Sequence, residues 1–168
     1  GDNFIKAAVD RFGTIDIIVN NAGYAWDAII QKMTDEQFQA MMDVHVTAPF
    51  RILRAASEVI RPAAKAENEA GTPVHRKVVN ISSISGLYGN PGQIAYSSAK
   101  AALIGMTRTM CKEWGRYNVN VNCVTFGFIK TRMTGELGSP ETKAQIGDRA
   151  ITMGIHPDMA KGMESIIP

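Results

Sequence analysis

Apolar residues recur at helical spacing over Phe4 to Phe12, at Phe4, Ala8, Val9 and Phe12, and Gly13 follows as a helix stop. The pattern then changes. Ile15 to Val19 is a continuous apolar run broken only by Asp16, which suits a buried parallel strand. Thr34-Asp35-Glu36-Gln37 is a capping-box start for a long helix with the stripe Phe38, Met41, Met42, His45, Val46, Pro49, Phe50, Leu53, Ala56 and Ile60. Residues 62–76 lose that periodicity and predict a surface helix end followed by a loop. Lys77 to Ile81 predicts a second strand. Gln93 to Gly115 predicts a helix with Ala99, Leu103, Met106 and Met110 on one side. Val119 to Val124 predicts a third strand, and the chain from Pro140 onward reads as helical and amphipathic, though weakly patterned. Strands alternating with helices predict an α/β domain with a parallel sheet. No repeat, low-complexity stretch or internal boundary interrupts residues 1–168.

Composition narrows the class. The chain has 168 residues, 45% hydrophobic and 20% charged, enough for one domain with a real core. A net charge of +2 gives no electrostatic case for a nucleic acid or an acidic lipid surface. No apolar run reaches bilayer-spanning length, and the N-terminus carries no charged-then-apolar signal pattern, so no membrane partner is expected. Cys111 and Cys123 form no disulfide or metal spacing; they read as small buried side chains in a reduced, cytoplasmic setting, with no metal expected. The ends carry their own expectation. Gly1-Asp2-Asn3 opens directly into a helical pattern, and Ile166-Ile167-Pro168 stops on an apolar step, so both ends read as cut from a longer chain.

The strongest chemical signal is Tyr96-Ser97-Ser98-Ala99-Lys100. A tyrosine and a lysine four apart project from one helix face and can act together. Tyrosine titrates near ~10, too high for acid–base work at neutral pH. A neighbouring ammonium favours the phenolate, so Lys100 is expected to bring Tyr96 into a useful range. Ser83 stands thirteen residues before Tyr96, at the carboxyl end of a predicted strand, where open α/β sheets bind ligands. Asn20-Asn21-Ala22-Gly23 follows another strand end; its glycine permits close backbone approach and its asparagines can tie strand ends together. The third strand ends in Phe126-Gly127-Phe128-Ile129-Lys130-Thr131.

In this order, these segments resemble the short-chain dehydrogenase/reductase family. The resemblance implies a Rossmann-like, doubly wound parallel sheet, present here only in part: the N-terminal βαβαβ portion with its glycine-rich phosphate turn and the last strand are expected to be absent. It implies an NAD- or NADP-dependent oxidoreductase interconverting a carbonyl and a secondary alcohol. Tyr96 would transfer the proton, Ser83 would hydrogen-bond the reacting oxygen, and Lys100 would hold the nicotinamide ribose. Asn20, Ala22 and Gly23 would line the cofactor with Gly127 and Ile129, and Thr131 would reach the carboxamide. His45 occupies the position of a fourth catalytic residue, an asparagine in most of the family, where an imidazole can make similar hydrogen bonds. Phe126 replaces a proline before Gly127.

Within the family the chain resembles 3-oxoacyl-(acyl-carrier-protein) reductases and (3R)-hydroxyacyl-CoA dehydrogenases, which implies a small-molecule partner, an acyl thioester. General alcohol, polyol or steroid dehydrogenases remain alternatives, as does a fragment acting only as a structural module. Family members commonly pair two helices between subunits. This implies a homodimer or homotetramer built on the helices carrying Met42, Ala102, Met106 and Met110.

Overall fold

The computed structural model describes residues 1–158 together with Lys161 and Gly162. Helix α1 (Asp2–Phe12) leads into β1 (Ile17–Asn20), and α2 (Asp35–Met42) passes through a π-helical turn (Asp43–Thr47) into α3 (Ala48–Glu69). Strand β2 (Arg76–Ser83), the single turn α4 (Ser85–Tyr88), α5 (Ile94–Trp114) and β3 (Val119–Phe126) follow. The chain then forms a hairpin of β4 (Lys143–Ile146) and β5 (Arg149–Thr152).

Strands β1, β2 and β3 form a parallel sheet in that order, with Ile18, Val78 and Val121 in register. These three residues pack with Ile5 of α1, Leu53, Ala56 and Ile60 of α3, and Met110 and Trp114 of α5. The parallel α/β architecture matches the sequence pattern, but burial on both faces does not follow. β1 alternates, with Ile18 buried and Ile17 and Val19 at 68% and 55% exposure. Among the described residues the helices of the core cover one face only.

Several local expectations are corrected. In α1 the buried residue is Ile5, while Phe4 and Phe12 face solvent. The helix before β2 continues to Glu69 with Pro62 on its exposed side, so the loop is confined to residues 70–75. Arg76, expected in that loop, opens β2 and is buried: its guanidinium makes two 2.7 Å bonds to Glu67 and one of 3.1 Å to the Ile15 carbonyl. A burial of this kind is favourable only because each guanidinium nitrogen finds an acceptor. Cys111 is exposed rather than buried.

The helix expected after Pro140 is instead an antiparallel hairpin turning at Gly147, whose φ is +59°. Its period is two: Ala144 and Ile146 alternate with Lys143 and Gln145. That face packs, with Ile151 and Met153, against Tyr24, Met41 and Ala95. Residues 163–168, including the apolar step at the end of the chain, lie outside the described residues.

The capping box at Thr34 forms as the sequence predicts. Thr34 Oγ1 accepts the Gln37 N–H at 3.1 Å, and Gln37 Oε1 accepts the Thr34 N–H at 3.0 Å. Thr34→Ala is expected to lower unfolding stability by about 1 kcal/mol, read by denaturant titration. No change in the midpoint would show that water replaces the cap at no cost.

The π turn between α2 and α3 has a local cause. Pro49 has no N–H to give to the carbonyl of His45, four residues back, and the preceding turn widens so that the Ala48 N–H reaches the Asp43 carbonyl. The widened turn carries His45.

Candidate active site

A cavity of about 430 Å³ opens at the carboxyl ends of β1, β2 and β3. Ser83, the last residue of β2, Tyr96 and Lys100 in the first turns of α5, and His45 all line it. Sequence spacing places these four in three separate elements, Tyr96 and Lys100 sharing α5; the parallel register and the packing of α5 against the sheet bring them together.

Lys100 is 5% exposed. Its Nζ donates to the Ile81 carbonyl at 2.8 Å and stands 5.5 Å from the centroid of the Tyr96 ring. Its own carbonyl accepts the Ser82 hydroxyl at 2.8 Å, which ties this turn of α5 to β2. Gly86 allows the approach, because a Cβ there would stand 2.8 Å from the Lys100 carbonyl carbon. Burial lowers the Lys100 ammonium to about 8, so it remains largely cationic at neutral pH.

Tyr96 departs from its sequence-based expectation. Burial raises its phenol above the ordinary value; a hydrogen bond with Ser83 pulls it down and the negative charge of Asp27 adds to the rise. The Lys100 ammonium stands over the ring and donates to Ile81, and burial outweighs the lowering expected from sequence. The protonated phenol is therefore the resting form.

His45 is 2% exposed, with Nε2 2.8 Å from the Tyr24 carbonyl and its ring edge-on to Tyr96 at 5.3 Å between centroids. A carbonyl can only accept, so Nε2 carries the proton and the neutral Nδ1 is an acceptor. Nδ1 is buried without a partner among the described residues. Burial and the neighbouring charge of Lys100 lower the imidazole to about 4, against the opposing effect of the Tyr24 bond. Gly23 makes room for this ring: a Cβ at that position would overlap His45 Cε1.

The expected cofactor residues divide. Gly23, Gly127, Ile129 and Thr131 line the cavity. Asn20 and Ala22 do not. Asn20 is buried and donates to Asn80 Oδ1 at 2.8 Å; Asn80 donates to Thr107 Oγ1 at 2.9 Å, and that hydroxyl to the Leu103 carbonyl at 2.8 Å. This chain of buried polar groups crosslinks β1, β2 and α5 below the cavity, a structural role in which every member is satisfied. Thr131 caps the short turn of residues 132–134, its N–H donating to Thr134 Oγ1 at 2.8 Å.

Sequence reasoning missed the rest of the wall. Asn21, Asp27, Ser85, Asn90 and Gln93 supply polar groups, and Phe126, Phe128, Met133 and Ile155 supply apolar surface. The one available signal was Gln93, three residues before Tyr96 and therefore on the same side of the helix start. Met133 and Ile155 flank the hairpin that the sequence pattern does not predict, so their convergence had no local signature. Among the described residues no group of three or more His, Cys, Asp or Glu side chains is placed to hold a metal.

The donor set suits the nicotinamide-ribose half of a dinucleotide. An ammonium has three donors and Lys100 commits one to Ile81, leaving two for ribose hydroxyls. Asn21, the Gly23 backbone and Thr131 converge on the same cavity.

Comparisons with known proteins bear on the family and the fold. The sequence profile described as short chain dehydrogenase matches residues 2–142. A 3-oxoacyl-(acyl-carrier-protein) reductase of Synechocystis is 39% identical over 138 residues, 82% of this chain and 52% of that protein. The peroxisomal hydratase-dehydrogenase-epimerase of Saccharomyces cerevisiae is 34% identical over 90% of this chain and 16% of its own. The chain thus spans about half the length of the curated reductases it matches. In structure, a short chain dehydrogenase from Mycobacterium avium superposes with a TM-score of 0.67 at 37% identity, covering 74% of this chain and 43% of that one. NAD+-bound xylitol dehydrogenase superposes with a TM-score of 0.68 at 28% identity, over 77% and 46%. The partial parallel sheet is Rossmann-like, and the chain belongs to the short chain dehydrogenase family.

Proposed function

We propose that the full chain is an NAD- or NADP-dependent oxidoreductase that interconverts 3-oxoacyl and 3-hydroxyacyl thioesters. The observation that carries the reading is the convergence of Ser83, Tyr96 and Lys100 on one cavity at the carboxyl ends of the strands. The identity to 3-oxoacyl reductases, at 39% and 40% over four-fifths of the chain, supports the substrate class.

In the reductive direction the substrate carbonyl oxygen accepts hydrogen bonds from the Ser83 and Tyr96 hydroxyls. The bound dinucleotide supplies the hydride. Tyr96 releases its proton to the oxygen as negative charge develops there, and its raised pKa keeps that proton in place until then. Lys100 binds the ribose and stabilises the phenolate left behind. His45 Nδ1, an unpaired acceptor near the Lys100 charge, would accept from and so position the water that reprotonates Tyr96. Two free cysteines among the described residues support a reducing, cytoplasmic setting. No helix among the described residues is long and apolar enough to cross a membrane.

The test is dinucleotide oxidation by the full chain with an acetoacetyl thioester, using NADH and NADPH in separate reactions. Substrate-dependent oxidation with one or both supports the reading. Turnover of polyols or simple ketones alone, with none of the thioester, overturns it.

Assembly belongs to the same proposal. A groove of about 610 Å³ runs between α3 and α5, where Phe50 is 48% exposed beside Arg54 and Met106. We place a two-fold subunit contact on this face. Met110, a contact candidate from sequence, lines this groove at 9% exposure and also packs in the core. Light scattering at micromolar concentration is expected to give a dimer or tetramer; a monodisperse monomer would refute the contact.

A further inference from the structure

Along one wall of the cavity, the loop after β1 is fastened to the start of α5. The Ala28 N–H donates to the Gly92 carbonyl at 2.9 Å. Gln93 Nε2 donates to Asp27 Oδ2 at 2.7 Å. Gln93 Oε1 accepts from the Ser85 hydroxyl at 2.9 Å and from Asn90 Nδ2 at 3.1 Å. Those two donors fix the orientation of the Gln93 amide, so its NH₂ group has to face Asp27. The carboxylate is therefore held in place, and Oδ1 accepts no protein donor among the described residues.

The charges around this wall are few. Among the described residues lining the cavity, Asp27 is the single acidic side chain and Lys100 the single cationic one, with His45 held neutral. Lys100 is buried against the Tyr96 ring and bonded to Ile81. No arginine among the described residues lines the cavity to receive an anionic substrate group. Asp27 is exposed toward the cavity mouth, yet enough protein surrounds its carboxyl to raise its pKa, and its charge is felt at Tyr96. An anion bound beside Tyr96 would meet a fixed like charge in a partly desolvated space, where repulsion is larger than in water.

We propose that Asp27, oriented by Gln93, is a specificity-determining residue that rejects substrates with a carboxylate one methylene from the reacting carbonyl and so favours a neutral thioester or ester group there. The assignment rests on the carbonyl-reducing reading above and deepens it. It is specificity by a repulsive element rather than by an added attraction.

The experiment compares two substrates with the same acyl chain, ethyl acetoacetate and the free acid acetoacetate, on the full chain with its dinucleotide. Wild type is expected to favour the ester by about tenfold or more in kcat/KM, and added salt is expected to narrow that preference by screening. Asp27→Asn keeps the size of the side chain and an acceptor for Gln93 while removing the charge. It is expected to reduce the ester-to-acid ratio by about tenfold and to abolish its salt dependence. A ratio in Asp27→Asn within about twofold of wild type, or a wild type that prefers the free acid, overturns the assignment. Using the ratio cancels any common effect of the substitution on Tyr96 or on folding. A wild type that reduces neither compound, or reduces the ester without a change in ratio in the variant, overturns the assignment alone; the acetoacetyl thioester assay decides the underlying function separately.

Discussion

Tyr96→Phe is expected to lower kcat by roughly 10²- to 10⁴-fold, the usual contribution of a positioned general acid, with dinucleotide affinity nearly unchanged. The ring of Tyr96 packs edge-on to His45 and under the Lys100 ammonium, and phenylalanine keeps those contacts. What the substitution removes is one hydroxyl, which lies in the cavity with Ser83. The loss should therefore appear in kcat and kcat/KM together, the mark of an interaction made in the transition state. Steady-state kinetics on the full chain would measure it. A variant keeping more than about a tenth of wild-type kcat would remove Tyr96 from the proton transfer.

A second large effect lies in the pH dependence of stability through His45. The unfolded chain takes up a proton at this imidazole near ~6.5. In the folded protein burial lowers the value to about 4. Between these values the unfolded state binds more protons than the native state, so stability falls as pH falls through the window. The full contribution is present above pH ~6.5, and the loss reaches about 3 kcal/mol once pH is below the folded value. His45→Asn removes the titration and keeps an amide able to donate to the Tyr24 carbonyl. Urea unfolding at neutral pH and near pH 4 should show the difference between the two conditions shrinking in the variant by a comparable amount. Equal losses in both proteins would show that His45 is not buried neutral. A pair of variants tests the relay: His45→Asn should retain kcat, while His45→Leu should lower it with little change in KM. Full activity of His45→Leu across the pH range would place the relay elsewhere.

What could be read from sequence was governed by local rules. The Thr34 capping box, the three strands and the helix from Gln93 follow from side-chain periodicity and backbone hydrogen bonding, which neighbouring residues determine. Ser83, Tyr96 and Lys100 were legible because strand ends and helix spacing fix where such side chains emerge. The failures have a common cause. Arg76 is buried because Glu67 and the Ile15 carbonyl wait for it, partners that no window around residue 76 displays. The hairpin after Pro140 was missed because four-residue strands carry too few alternations to outweigh a weak helical pattern, and its burial depends on Met41 and Tyr24. Asn20 was assigned to the cofactor on its motif, but the motif did not show that Asn80 would claim its side chain. The charge of Asp27 near Tyr96 is likewise a product of folding, since Asp27 comes from a separate loop and is held there by Gln93.

The central claim is that the cavity at the strand ends brings a nicotinamide against a carbonyl carbon beside Tyr96. Deuterium placed at the transferable position of the reduced nicotinamide tests it most directly. The full chain is incubated with the labelled dinucleotide and an acetoacetyl thioester, and the product is analysed by mass spectrometry and NMR. The account predicts one deuterium at the carbinol carbon of the 3-hydroxyacyl product, in one stereochemical configuration, and almost none with Tyr96→Phe over the same time. Label appearing in solvent, or a hydroxyacyl product carrying no deuterium at that carbon, would contradict it.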